Sequence, residues 1–390
     1  MQNRLLVPYS KGPLSFKNHL IMAPMTRCRA IGNIPNQLMA DYYAQRAGAG
    51  LIITEGTAPT PDGLGYARIP GIFTADQVDG WKKVTKAVHA RQSKIFVQLM
   101  HTGRIGHIDN LPEGAQLVGA SSMPAAGQIY TDTKGPQDHA VPVALTTEGV
   151  KDVIGGHVTA ARNAIEAGFD GVELHGANGY LLEQFLNPNT NTRTDEYGGS
   201  MEGRAKIVLD MTRAIAAGIS KDKVGIRFSP YNTLGDLQAY DQDEVLKTYV
   251  YLAGALNEIG IAYIHIGRNP AAPPELLPAI RAAFHGTIIL CNGFTPETAE
   301  AMLNPDGSGL VDSAAAGPRL ADGAAAGPRL VDIAAAGPRL ADCVAFGRSF
   351  LANPDLDIRI ANKASLNQPD PKTFFSPDAK GYTDYPVLSA

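Results

Sequence analysis

The chain has 390 residues, 44% of them hydrophobic, which is enough for one large α/β core or two smaller ones. Its 34 Lys and Arg nearly balance its 38 Asp and Glu, so the formal charge of −4 argues against nucleic acid or an anionic membrane as a partner. The three cysteines are far apart, which argues against a zinc ribbon, an iron–sulfur cluster and a disulfide framework. Without a signal core or a run of transmembrane length, we expect a cytoplasmic protein.

Short apolar runs alternate with helical patterns along the chain. Eight runs predict strands, at 19–23, 51–54, 94–100, 171–174, 224–228, 262–266, 287–291 and 343–346. Amphipathic helices are predicted between them at 36–47, 75–92, 147–167, 201–217, 241–258, 274–284 and, beginning a seventh, 295–303. Because the strands are continuously apolar, both faces of a parallel sheet should be covered. Eight β-then-α units predict a single-domain (β/α)₈ TIM barrel; a doubly wound sheet, the alternative, is weakened by the lack of a Gly-x-Gly-x-x-Gly motif.

The chain exceeds the roughly 250 residues of a plain barrel in identifiable places. Residues 1–17 precede the first strand. Residues 101–145 form a long, Gly- and Pro-rich loop after strand three, on the face where barrels carry out chemistry, and are a candidate lid. We expect the tail, residues 362–390, to pack back on the barrel.

A tandem repeat precedes strand eight. Residues 310–339 contain three decads that look like degraded copies of 340–349, each with a Gly-Pro pair. Gly-Pro every ten residues weakens the alternative of one continuous Ala-rich helix. We therefore predict a tandem-decad insertion, at 310–339, within a single domain that spans residues 1–390.

The most informative stretch follows strand four. His175, Asn178 and Tyr180 lie within six residues, separated by glycines, where a strand turns into a short helix predicted at 181–186. An imidazole, an amide and a phenol at a strand's carboxyl end can bind a carbonyl oxygen and deliver a proton. The alternative is a His and a Tyr buried for structural reasons.

Other strand ends carry groups suited to a flat heteroaromatic cofactor. Gln98 and Arg227 are polar side chains inside apolar strands, and Thr26 offers a hydroxyl. Arg227 suggests an anionic or electron-rich ligand, with a structural ion pair as the alternative. Thr26 could instead be a turn or capping residue.

Strands seven and eight end in Asn292-Gly293 and Gly347-Arg348. Barrels commonly bind phosphate there through loop amides, and Arg348 would add a bidentate donor. The alternative is that both glycines serve only as turn residues. No cluster of metal ligands competes, so no metal is expected.

Many motifs, in order, carry a resemblance over the whole chain except the decads. They are Ala23-Pro-Met-Thr-Arg27, Tyr42-Tyr-Ala-Gln-Arg46, Leu51-Ile-Ile-Thr-Glu55, Gln98-Leu-Met-His-Thr-Gly-Arg104, Glu173-Leu-His-Gly-Ala-Asn-Gly-Tyr-Leu-Leu182, Asn191-Thr-Arg-Thr-Asp-Glu-Tyr-Gly-Gly-Ser200, Phe346-Gly-Arg348, Ala352-Asn-Pro-Asp355 and Gly381-Tyr-Thr-Asp-Tyr-Pro386. With these the chain resembles the Old Yellow Enzyme family of flavin-dependent ene-reductases, especially the bacterial alkene and N-ethylmaleimide reductases.

The resemblance implies non-covalently bound FMN, reduced by NADPH or NADH, and a small-molecule substrate: an enone, enal, maleimide or nitroalkene. It implies that His175 and Asn178 bind the substrate oxygen and that Tyr180 protonates the α-carbon. The implied cofactor-binding residues are Pro24, Met25, Thr26, Ala58, Gln98, Arg227, Asn292, Gly293, Gly347 and Arg348. Tyr66, Met100 and Phe350 are expected to line the substrate pocket of a monomer or homodimer.

The chain departs from the family pattern at two pocket positions. Met100 replaces a Trp of many relatives and should widen the pocket, and Phe350 replaces a Tyr of several. Three rival interpretations remain: reduction of nitrate esters or nitroaromatics at the same site, a lyase or aldolase-like barrel, and a barrel that the insertion has inactivated. The lyase would need a Lys at a strand end, and none of the eight ends has one.

Overall fold

The structure, a computed structural model, describes residues 3–304 and 339–388. Eight parallel strands close into a barrel, with β14 pairing back onto β3. They are β3 (Leu20–Met22), β4 (Leu51–Thr57), β5 (Lys94–Leu99), β10 (Gly171–Gly176), β11 (Val224–Phe228), β12 (Tyr263–Gly267), β13 (Thr287–Cys291) and β14 (Cys343–Phe346). Nearly every strand residue is buried, which explains the continuous apolar runs. The predicted (β/α)₈ barrel is confirmed, and the doubly wound alternative is wrong.

Helices cover the outside of the ring and follow the strands along the chain. They are α1 (Gln37–Gln45), α2 (Ala75–His89), α3 (Thr147–Glu166), α4 (Leu181–Leu186), α5 (Met201–Ile219), α6 (Gln242–Ile259), α7 (Leu276–Ala283), α8 (Pro296–Leu303), α9 (Arg348–Ala352) and α10 (Leu356–Ala361). Thr74 begins α2 with a reciprocal capping box to Gln77, and Thr146 caps α3 through the amide of Gly149. The short α9 and α10 were not predicted.

Two small hairpins supplement the barrel. β1 (Tyr9–Lys11) and β2 (Leu14–Phe16) cover its amino-terminal end, where the Tyr9 hydroxyl lies 2.7 Å from Thr287 Oγ1. The long loop after β5 contains β6 (Val118–Gly119) paired with β9 (Val143–Ala144), and a hairpin of β7 (Gln128–Thr131) and β8 (Gly135–Asp138). The loop therefore carries structure of its own on the carboxyl-terminal side of β5.

Most of the predicted decad insertion lies outside the described residues, because residues 305–338 are not among them. The strand β14 itself is formed by the fourth decad, as predicted. Within residues 3–304 and 339–388, no helix is both long and apolar enough to cross a membrane.

Two buried arginines after β3 bind the carboxyl-terminal tail. Arg27 donates to the carbonyl oxygens of Phe374 and Gly381, at 3.1 and 2.7 Å. Arg29 donates to the Ser376 hydroxyl and to the carbonyl oxygens of Thr373, Phe374, Asp378 and Lys380. Tyr42 stacks on Tyr382 with ring centroids 3.9 Å apart. The predicted packing of the tail against the barrel is confirmed.

We expect Arg29→Met to lower the free energy of unfolding by about 2–4 kcal/mol, because it leaves several tail carbonyls without their charged donor. Urea unfolding can be followed through Trp81, the single tryptophan. The exposed Arg91 provides the matched control Arg91→Met, which should change stability by less than about 0.5 kcal/mol. Equal stabilities of the two variants would contradict this role of Arg29.

Candidate active site

Ring closure brings the predicted site residues to one rim of the barrel. His175 on β10 lies in register with Arg227 on β11, and Glu173 on β10 with Gln98 on β5. Asn178 and Tyr180 follow β10 directly. Apart from Glu173, which lies in the middle of β10, these positions are near or just after the carboxyl ends of neighbouring strands, where parallel barrels place reactive groups.

His175 is buried, and its tautomer follows from a local hydrogen bond. The Ala177 amide donates to Nδ1 at 3.3 Å, so Nδ1 is the acceptor and Nε2 carries the proton. Burial, together with the positive charges of Arg227 and His265, holds the pKa of His175 well below its usual range. His175 is therefore a neutral imidazole that can donate one hydrogen bond through Nε2.

Tyr180 lies beside this imidazole. The two rings meet edge to face with centroids 4.8 Å apart, and the Tyr180 hydroxyl donates to the Tyr66 hydroxyl at 3.0 Å. Burial and the Tyr66 phenol hold the pKa of Tyr180 well above its usual range, so the phenol keeps its proton at neutral pH. Both tyrosines pack on an apolar cluster that contains Met100 and Ala58.

Asn178 lies between His175 and Tyr180 in a left-handed backbone conformation, with φ of 57°. Its amide N–H donates to Ser229 Oγ at 2.8 Å, and its side chain is half-buried. The adjacent Gly179, with φ of 79°, must be glycine, because a Cβ there would lie 2.3 Å from the Leu234 carbonyl oxygen. The loop after β10 is thus packed directly against the loop after β11.

Arg227 is a buried cation with few partners. In the described part of the chain its guanidinium makes one hydrogen bond, from Nη2 to Cys291 Sγ at 3.5 Å, and Nε has none. The nearby Glu173 carboxylate instead accepts from Gln98 Nε2 at 2.8 Å, Tyr263 at 3.0 Å and His265 Nδ1 at 2.9 Å. The structural ion pair considered for Arg227 is therefore not formed within the described residues.

The charged pair of His265 and Glu173 explains why Arg227 lacks a carboxylate partner among the described residues. Burial acts to lower the pKa of His265, but Cys291 and Glu173 raise it to about 9. Burial acts to raise the pKa of the Cys291 thiol, but Arg227 and His265 lower it to about 7. Glu173 is thus occupied by the His265 imidazolium, and Arg227 remains available to a ligand.

The segment after β3 meets the end of β14. The Ala23 amide donates to the Phe346 carbonyl oxygen at 3.0 Å, and Pro24, Met25 and Thr26 follow, half-buried. A Cβ at Gly347 would lie 3.4 Å from Met25 Sδ, so these two strand ends are in close contact.

The ends of β13 and β14 are neighbours as well, since Cys291 pairs in register with Ala345. Asn292 and Gly293 both have positive φ, 74° and 76°, and a Cβ at Gly293 would meet open space. Together with Arg348, they are exposed. The four residues predicted to bind phosphate are therefore at adjacent strand ends.

One predicted pocket residue lies apart. Phe350, on α9, is fully buried in the main core of the protein, not in the cluster that contains Met100 and packs against Tyr66 and Tyr180. Its carbonyl oxygen accepts a hydrogen bond from Arg46 at 2.9 Å. Its proposed contact with substrate stays a prediction.

Comparison with known proteins decides the family. A sequence model of the NADH:flavin oxidoreductase / NADH oxidase family matches residues 4–367. The 12-oxophytodienoate reductase 1 of Oryza sativa subsp. japonica is 39% identical over 396 residues, covering 98% of this chain and 93% of the relative. The 12-oxophytodienoate reductase 7 of the same plant is 36% identical over 411 residues, covering 99% of this chain and 95% of the relative.

Solved structures agree. Morphinone reductase in complex with tetrahydroNAD superposes with a TM-score of 0.86 at 39% identity, covering 99% of this chain and 98% of that one. The Old Yellow Enzyme homologue from Zymomonas mobilis superposes with a TM-score of 0.85 at 35% identity, covering 98% of this chain and 99% of that one. The chain belongs to the Old Yellow Enzyme family. Like other members it is an oxidoreductase that uses FMN and a nicotinamide reductant.

The side chains at the carboxyl ends of the barrel strands have hydrogen-bonding groups that suit FMN. Arg227 presents a buried guanidinium with an unpartnered Nε, which suits the electron-rich edge of a flavin. Gln98 uses its amide nitrogen on Glu173, so its oxygen can accept a hydrogen bond from a ring N–H. In the described part of the chain, no group of three His, Cys, Asp or Glu is arranged to hold a metal ion.

Sequence reasoning overlooked four polar residues behind the site. Glu173 and His265 carry charge inside apolar strands, the same signal that revealed Arg227, and could have been found by it. Glu183, in the fully buried helix α4, and its partner Ser229 gave a weaker signal. The carboxylate of Glu183 accepts from Ser229 Oγ at 3.0 and 3.1 Å.

Because the pKa of His175 lies well below 6.5, its imidazole should stay neutral throughout the range from about pH 5.5 to 8. We therefore expect the KM for an enone to show no histidine ionisation in that range. Steady-state kinetics with 2-cyclohexenone at closely spaced pH values would test this. If the enone KM of the wild-type enzyme rises below pH 6.5 and that of His175→Asn does not, the imidazole of His175 becomes protonated in this pH range.

Proposed function

We propose that this enzyme reduces the C=C bond of electron-poor alkenes, namely enones, enals, maleimides or nitroalkenes, with NADPH or NADH as the reductant. The observation that carries the proposal is the pairing of a neutral His175, with its Nε2 proton free, and a protonated Tyr180 at ring-to-ring contact. One group donates to an oxygen, and the other can deliver a proton. The 12-oxophytodienoate and morphinone reductases among the relatives support a reductase role.

The hydride chemistry is supplied by FMN, when bound, which takes electrons from a nicotinamide and gives them to an alkene. The protein residues would polarise the carbonyl or nitro group of the substrate and protonate its α-carbon. His175 Nε2 and the Asn178 amide would donate to the carbonyl or nitro oxygen, which makes the β-carbon of the alkene electrophilic. Tyr180, whose hydroxyl donates to the Tyr66 hydroxyl at 3.0 Å in this structure, would turn that proton to the α-carbon once substrate is bound.

The same proposal assigns roles around the cofactor. Thr26, Ala58 and Gln98 would contact the edge of the flavin ring, with the backbone of Pro24 and Met25 alongside, and Arg227 would balance negative charge on the ring. Asn292, Gly293, Gly347 and Arg348 would bind the phosphate. Tyr66, Met100 and Phe350 would shape the substrate pocket.

Met100 supports a pocket with an adaptable wall. Its side chain packs against Gly56, where a Cβ would lie 2.3 Å from the Met100 sulfur. An unbranched thioether can change rotamer without the volume of an indole, so we propose that bulky enones are accepted.

An absorbance spectrum of the purified protein, followed by anaerobic NADPH and then 2-cyclohexenone, tests the proposal. A band near ~450 nm should bleach with NADPH and recover with the enone, because the colour belongs to the flavin. Bleaching without recovery would exclude 2-cyclohexenone as a substrate, and recovery with 2-nitrotoluene or a nitrate ester instead would favour the nitro-compound reductase. A protein that stays colourless with added FMN would favour the barrel inactivated by its insertion.

Tyr180→Phe should slow alkene reduction by about 10²–10⁴-fold, the usual contribution of a general acid, and leave flavin reduction by NADPH nearly unchanged. Stopped-flow measurement of both half-reactions separates the two effects. Tyr130→Phe is the matched control, because Tyr130 is an exposed phenol on β7. Equal losses in both half-reactions of Tyr180→Phe would rule out the proton-donor role.

Arg227→Met should raise the Kd for FMN by roughly 10- to 100-fold, since it removes a charged donor to the flavin. The unfolding free energy of the apoprotein should change by less than about 1 kcal/mol, because Arg227 has no carboxylate partner among the residues that the structure describes. Fluorescence titration with FMN and urea unfolding of the apoprotein give both values. A destabilised apoprotein with normal FMN affinity would instead indicate a structural cation.

We further propose that the chain is one FMN-binding domain over residues 1–390, with 310–339 an insertion, and acts in the cytoplasm as a monomer or homodimer. The three cysteines, all free and buried, suit a reducing compartment.

A further inference from the structure

The helix α4 after the active-site loop contains a buried carboxylate. All six of its side chains are buried, and Glu183 is only 4% exposed. A carboxylate in such a place must be satisfied by donors. Its donors are the Gly179 amide at 2.7 Å, the Ser229 hydroxyl at 3.0 and 3.1 Å, and the Tyr249 hydroxyl at 3.1 Å.

All of these hydrogen-bond donors are neutral. Within the described residues no Lys or Arg forms an ion pair with Glu183, and burial raises its pKa to about 7 against the hydrogen bonds from Gly179, Ser229 and Tyr249. A buried carboxylate held only by neutral groups depends strongly on each of them. The loop after β10, which provides the Gly179 amide, is therefore held firmly in return.

The contacts reach the substrate-facing loop directly. The Ser229 oxygen that donates to Glu183 also accepts from the Asn178 amide at 2.8 Å. Asn178 and Gly179 are successive left-handed residues, and their two N–H groups are both engaged by this Ser229–Glu183 pair. Asn adopts the left-handed conformation more readily than other non-glycine residues, and these two hydrogen bonds fix it at this position.

We propose that Glu183 and Ser229 are positioning residues for substrate binding. They hold the backbone of residues 178–179 so that the side-chain amide of Asn178 and the phenol of Tyr180 face the substrate. This inference rests on the proposed roles of Asn178 and Tyr180. Neither Glu183 nor Ser229 needs to touch the substrate. Their effect passes through two backbone N–H groups on the loop of four residues, 177–180, between β10 and α4.

A purely structural role for the same pair predicts something different. If Glu183 and Ser229 only stabilise the fold, their loss lowers stability and FMN retention, and both half-reactions suffer alike. If they position Asn178, the enone KM rises while reduction by NADPH and FMN content stay the same. The split between the two half-reactions is therefore the decisive readout.

The experiment compares Ser229→Ala and Glu183→Gln with wild-type holoenzyme, using NADPH and 2-cyclohexenone as probes. Both variants should raise the enone KM about tenfold, the value of one hydrogen bond lost from the substrate oxygen. Tyr249→Phe is the matched control, because the Tyr249 hydroxyl donates to the same carboxylate and, among the described residues, makes no hydrogen bond to residues 177–180. It should change the enone KM less than about twofold.

Asn178→Gly completes the set, since glycine keeps the left-handed backbone and removes only the amide. If Asn178→Gly leaves the enone KM unchanged, the proposed role of Asn178 fails. If Asn178→Gly raises it and Ser229→Ala and Glu183→Gln do not, the positioning role fails and the proposed function stands. Thermal unfolding and the flavin spectrum of each variant identify a variant that is merely misfolded. The positioning role would also be overturned if Ser229→Ala and Tyr249→Phe slowed both half-reactions to the same extent.

Discussion

Eight parallel strands that close into a ring must all end at the same rim. The pairing of β14 with β3 completes that ring, and it brings the segment after residue 23 into contact with Gly347. In-register pairing of β10 and β11 then sets His175 beside Arg227. Strand register thus sets the positions of the strand residues proposed for catalysis and cofactor binding, and the loops that follow the strands place the rest.

The interior of the rim shows how buried charge is distributed. Glu173 is surrounded by three donors and is paired with the His265 imidazolium, whereas the Nε of Arg227 has no hydrogen-bond partner within residues 3–304 and 339–388. The buried carboxylate is compensated by the protein itself, and the buried cation has the chemistry to compensate a bound electron-rich group. Glu183 is also compensated by the protein, and its donors among the described residues are the neutral groups of Gly179, Ser229 and Tyr249.

The sequence predicted the barrel well because burial on both faces leaves continuous apolar runs, and polar residues that interrupt them, such as Arg227, stand out. His175 and Tyr180 were visible because they follow a strand directly. The bond from Ser229 to Glu183 was not, since it joins positions 46 apart that only the folded barrel brings together. The strands β1 and β2 escaped notice because three residues are too few to show a period.

The tail contacts of Arg29 have a consequence for how the protein is made. The first barrel strand emerges from the ribosome early, but its pairing partner β14 and the carbonyls that bind Arg29 are among the last parts to be synthesised. The nascent chain must therefore carry an unclosed sheet with unpaired edges through most of translation. Such a product is a natural client for chaperones, and its folding is expected to be slow and largely post-translational.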